Sequence, residues 1–118
     1  MKRSMIAAQG EVRVYKIDAL PPCAETRKAE LTKSGAAIIS HSEEGNHHCV
    51  HGANVMERTN DVPAGMQIFY AIVKNATKLQ QDAATPHKSI TLEADSIYEF
   101  RVAREYDPFA EQARRVAD

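Results

Sequence analysis

Residues 41–51 hold four of the chain's 5 histidines and one of its 2 cysteines, in the order His41-Ser42-Glu43-Glu44-Gly45-Asn46-His47-His48-Cys49-Val50-His51. Imidazole nitrogens are ligands for zinc, iron or manganese, and three or four N, O or S donors on rigid elements make a site. His41, His47 and His48, with His87 brought in by a neighbouring strand, are the candidate metal ligands. Glu43 could bind the metal directly or orient a ligating histidine. Cys49 and His51 are further candidate ligands for a metal or a small molecule. The same residues admit a plainer role, in which the histidines fill a polar strand face or a hydrogen-bonded niche. A Cys49 nucleophile with His47 or His51 as base has the right residue types but no orienting carboxylate or oxyanion donors beside it. A small buried hydrophobe is the ordinary role of such a cysteine.

Two strands must position these groups. Gly35-Ala36-Ala37-Ile38-Ile39-Ser40 is apolar, Glu43-Glu44-Gly45-Asn46 are turn formers, and residues 47–51 resume a strand. A hairpin would set His41 across the ladder from the second group, and its register decides which donors meet. With His41 opposite His47, the side chains of His47, Cys49 and His51 share its face. With a loop one residue shorter, His41 faces His48 and Val50 follows.

At 118 residues the chain reads as one domain with a modest core. Its 15 basic and 16 acidic residues give a net charge of -1, so no overall positive field exists to hold a phosphate backbone. Nucleic acid is therefore disfavoured as the main ligand, with a local patch at Arg101, Arg104, Arg114 and Arg115 the only candidate. The apolar piece Met5-Ile6-Ala7-Ala8 is far shorter than a signal-peptide core, and no run is long enough for a transmembrane helix. A cytoplasmic protein with no membrane association, and with Cys23 and Cys49 reduced, is the expectation. No glycine-rich phosphate loop, serine elbow or paired Cys-x-x-Cys occurs, so an enzyme would have to work through the histidine cluster.

Taken in order, residues 1–9 read as a flexible leader. Val12 and Val14 alternate inward on a strand that Pro21-Pro22 follows, and residues 24–31 read as a loop or one or two helical turns. Residues 66–74 form the most apolar run and suit a central strand, with an exposed edge there offering a homodimer interface. Lys78 to Asp82 reads as a brief edge strand. Tyr98, Phe100 and Val102 make a continuous apolar face on the clearest strand of the chain. Asp107 caps a short terminal helix that starts at Pro108 and presents Phe109, Ala113 and Val116. The fold class expected is mainly β, a small antiparallel barrel or sandwich of cupin-like shape with a short C-terminal helix.

The pieces Gly10-Glu11-Val12, Asp18-Ala19-Leu20-Pro21, His41-Ser42-Glu43-Glu44-Gly45-Asn46-His47-His48, His87, Ile97-Tyr98-Glu99 and Arg104-Glu105-Tyr106-Asp107-Pro108-Phe109 run through nearly the whole chain. In them the sequence resembles a family of small bacterial proteins frequent in phage-like and other mobile elements. The resemblance implies a compact β-rich domain. It also implies an alternative function: an accessory protein that binds a host macromolecule, such as an inhibitor of a nuclease-based defence system. Asn46 stands where that pattern often has histidine, and Asn is the poorer ligand for metals that histidine selects.

Overall fold

The computed structural model describes residues 2–40, 47–81 and 88–103, which form ten strands. The strands are β1 (Arg3–Gln9), β2 (Val12–Ile17), β3 (Thr26–Lys28), β4 (Ala37–Ser40), β5 (His48–Val50), β6 (Asn54–Arg58), β7 (Met66–Val73), β8 (Thr77–Gln81), β9 (Ile90–Leu92) and β10 (Ser96–Ala103). They build a six-stranded antiparallel sheet in the order β1-β2-β10-β7-β6-β3 and a four-stranded one in the order β4-β5-β8-β9.

Strand periodicity explains how the sheets meet. Side chains two apart share a face, and Tyr98, Phe100 and Val102 of β10 lie beside Val12 and Val14 of β2, all of them at 0% exposure. Phe69, Ala71 and Val73 of β7 continue this inner face, and Ala37, Ile39, Val50, Leu79 and Leu92 of the small sheet pack against it in a single apolar cluster. Tyr98 spends its one polar group at the rim, where its hydroxyl accepts the Glu93 N–H at 2.8 Å.

The outer face of the large sheet has its own cover. Leu20 and Ala24 from the segment after β2, and Val62 from the segment after β6, pack on Ile17, Ile68 and Tyr70. Asn60 ties those segments together, its Oδ1 accepting from the Glu25 N–H at 2.8 Å and its Nδ2 donating to the Cys23 carbonyl at 2.9 Å. Asp61 holds φ 51 in the same turn, a conformation that Asp tolerates better than most residues.

The expected fold is corrected in its closed, cupin-like shape, and the helix it included is not found among the described residues. Among the described residues no ladder joins the two sheets, so their strands form no closed barrel and no cupin-like one. No helix occurs among the described residues. The terminal helix expected from Pro108 falls in residues 104–118, outside the described residues, as does its Phe109 plug. Within the described part, residues 24–31 have too thin an apolar face to bury as a helix. Thr26, Arg27 and Lys28 instead satisfy their backbone against β6 as the edge strand β3. The segment read as a leader is likewise strand β1, paired with β2 from Arg3 to Gln9. The stretch read as an edge strand, β8, lies between β5 and β9.

Phe100 sits at the centre of the inner face, so Phe100→Ala should lower stability by about 3–5 kcal/mol. Denaturant unfolding with an unchanged slope is the measurement. A loss under about 1 kcal/mol would mean that the site collapses around the missing ring.

Candidate functional site

The described histidine with the most built surroundings is His48, 3% exposed at the start of β5. Its side chain shares a face with Val50, toward the large sheet, where the end of the β1–β2 hairpin meets it. That hairpin turns on Gly10 and Glu11, with glycine taking the positive φ (57) and Gln9 pairing with Val12. The turn leaves Gln9 pointing inward at 1% exposure, with Glu11 just beyond it at the surface.

Gln9 fixes the chemistry of His48. Its Nε2 donates to the Leu79 carbonyl at 3.1 Å and to the Lys88 carbonyl at 2.9 Å. An amide flipped about its axis would set oxygen against those two oxygens, so Oε1 must face the other way. It accepts from His48 Nδ1 at 2.7 Å. The proton is therefore on Nδ1, and in the neutral ring Nε2 carries the lone pair. Nε2 lies 3.7 Å from Oε2 of Glu11, whose side chain is 45% exposed. The other carboxylate oxygen of Glu11 accepts from the Ser40 hydroxyl at 2.5 Å. Ser40 is opposite His48 in the β4–β5 ladder, past an irregularity between Ile38 and Ser40. A bulge of this kind re-aims a side chain, and here both Ser40 and His48 reach Glu11.

Cys49 faces the other way. It is buried with Ala36 and Ile38 on the outer face of the small sheet. With His51, Thr32, Ser34, Gln80 and Gln81 it lines a groove of about 290 Å³. His47 is half-buried just before β5. His41, Glu43 and His87 lie outside the described residues. Among the described residues no three His, Cys, Asp or Glu side chains converge as a metal-binding group. Of the residues anticipated from sequence, His48 thus stands apart from Cys49 and His51, as alternation along one strand requires. Gln9, Glu11 and Ser40 were not anticipated as site residues. Their only signal is Gly10-Glu11-Val12, a hairpin turn followed by a strand.

Residues 8–102 match the family described as a domain of unknown function (DUF8820), and the chain belongs to that family. The match spans the Gln9–Glu11 turn, β5 and all but the last residue of β10. No curated protein and no solved structure matches the chain. No helix among the described residues is long and apolar enough to cross a membrane.

Removing the Gln9 amide strips partners from two carbonyls and one ring nitrogen. Gln9→Ala should cost roughly 3 kcal/mol, at about 1–3 kcal/mol for each buried group left unsatisfied. Gln9→Glu should be no better at neutral pH, because a carboxylate presents an acceptor where two donors are needed. Chemical unfolding measures both. In the parent protein, long-range proton–nitrogen spectra at pH about 8.5, above the range where imidazole ordinarily titrates, should show His48 as the Nδ1–H tautomer. The Nε2–H tautomer would contradict the assignment of the Gln9 amide.

Proposed function

We propose that the domain binds a divalent metal ion, zinc, iron or manganese, at His48 and Glu11, and that this ion is the centre of its function. One observation carries the reading. His48 is held by Gln9 in the tautomer that turns Nε2 toward a solvent-facing carboxylate. A ligating histidine typically has its second ring nitrogen bonded in this way, which fixes the ring and raises the basicity of the first. Two ligands about 2.1 Å from a tetrahedral zinc stand roughly 3.4 Å apart, and the 3.7 Å between Nε2 and Oε2 is close to that. Ser40 holds the other carboxylate oxygen and so restricts how Glu11 can turn.

Two donors do not complete a site. His41 follows Ser40 directly in the chain, and Glu43 lies two residues further. These two, with His47 and His87, are the proposed source of the remaining ligands. The Gln9 carboxamide supplies orientation, and Glu11 supplies negative charge. A site of this composition would favour zinc or iron over magnesium or calcium, which prefer all-oxygen shells. A small ligand with a basic or metal-chelating group would bind through the same ion.

Titration calorimetry of untagged, metal-stripped protein tests this. About one zinc ion per chain should bind, His48→Ala and Glu11→Ala should each abolish or greatly weaken binding, and Gln9→Ala should weaken it by about 10- to 100-fold through loss of ring orientation. His41→Ala and His87→Ala determine which distant histidine contributes. Zinc affinity unchanged in both His48→Ala and Glu11→Ala would overturn the proposal.

A further inference from the structure

The outer face of the large sheet carries a concentration of charge unrelated to His48. Arg13 and Tyr15 of β2, Glu99 and Arg101 of β10, and Arg3 of the edge strand β1 all belong to this face. Glu99 is fully buried, and both of its oxygens are taken. Oε2 accepts from Arg3 Nε at 3.2 Å and from Arg3 Nη2 at 3.0 Å, while Oε1 accepts from Arg101 Nε. The guanidinium carbons of Arg3 and Arg101 lie over the Tyr15 ring, 5.8 and 5.9 Å from its centre. Three arginines against one glutamate leave a positive excess.

Arg13 supplies the argument. It is exposed, it has no hydrogen-bond or ion-pair partner among the described residues, and it stands directly opposite Arg101 in the β2–β10 ladder. Like charges opposite one another weaken a strand pair; Glu99 answers Arg101, but no carboxylate among the described residues pairs with Arg13. An anion bridging the two guanidinium groups would. Net charge of -1 over the whole chain does not oppose this. At physiological salt, charges beyond about 8–10 Å are largely screened, and the local excess decides.

We infer that this face binds the phosphodiester backbone of single-stranded nucleic acid, with Arg13 and Arg101 on phosphates and bases lying against the arginine-flanked Tyr15 and the exposed Met5. The β1–β2 part of this face, where Arg3, Met5 and Arg13 are exposed, suits an extended chain. The guanidinium groups of Arg3 and Arg101 that lie over Tyr15 offer bases a stacking surface, and Met5, 55% exposed, adds an apolar contact. An acidic peptide would use the charges and leave the ring and Met5 without a role. The inference is independent of the proposed metal site.

The test is fluorescence anisotropy of a labelled oligo-thymidine of about 12 nucleotides, within the usual site size for such surfaces, with the full chain at low and physiological salt. Binding should weaken as salt rises, with a log–log slope of about -0.7 for each phosphate engaged. Arg13→Ala should weaken it several-fold and make the slope shallower by about one phosphate, whereas Arg13→Lys should restore most of the affinity. Circular dichroism melting should find Arg13→Ala as stable as the parent or slightly more so. No binding at low salt, identical binding by Arg13→Ala, equal affinity for a duplex of the same length, or competition by polyglutamate as strong as by unlabelled oligonucleotide would each overturn the inference.

Discussion

The side-chain amide of Gln9 is the constraint on which the arrangement of this molecule depends. Apolar side chains between two sheets set their separation, but they are non-directional and would tolerate sliding of one sheet over the other. Gln9 belongs to the large sheet, and its bonds run to the carbonyl of Leu79 in β8, to the carbonyl of Lys88 before β9, and to His48 of β5. Each is directional, and at 1% exposure none can be exchanged for water without cost. One side chain therefore pins three pieces of the small sheet to the tip of a hairpin in the large one. The tautomer of His48 and its approach to Glu11 follow from the same three bonds.

This dependence explains what the sequence could and could not convey. Alternation of apolar residues made β2, β7 and β10 legible, and the inward face of Tyr98, Phe100 and Val102 is the core that their spacing implies. The histidine cluster drew the eye to β5, where His48 sits. Gln9 and Glu11 were not legible, because a buried glutamine and a surface glutamate in a polar N-terminal stretch have no periodic signature. Their importance arises from contacts with Ser40 and His48, 29 and 39 residues away in sequence. The irregularity between Ile38 and Ser40 is similarly silent, yet it helps set Ser40 and His48 toward one carboxylate. Strand β3 was misread because a charged three-residue edge strand carries helix-favouring residues, and only its partner β6 decides its conformation.

Alternation also limits which chemistry β5 can support. His48 looks toward the large sheet, and Cys49 looks away from it into the groove shared with His51. The two faces of a sheet are separated by its backbone, so Cys49 and His48 cannot act on one ligand. The backbone carbonyl of His51 is itself held by the Thr77 hydroxyl at 2.7 Å. A dense cluster in sequence thus divides into an inward histidine and an outward Cys49–His51 pair.

The fold places two carboxylates, Glu99 and Glu11, beside cationic or ionisable groups. Glu99 has 0% exposure, and three donors from two arginines occupy its oxygens. Such a group is neutralised in place, and removing a partner would leave an uncompensated charge in the sheet, so its role is to hold Arg3 and Arg101 where they are. Glu11 is different. Nearly half of its side chain meets solvent, a neutral hydroxyl holds one oxygen, and the other stands 3.7 Å from an imidazole nitrogen, beyond hydrogen-bond length. At Glu11 the chain instead buries a glutamine to orient a histidine and leaves the carboxylate facing outward. That asymmetry is why the metal site is proposed at Glu11 rather than at Glu99.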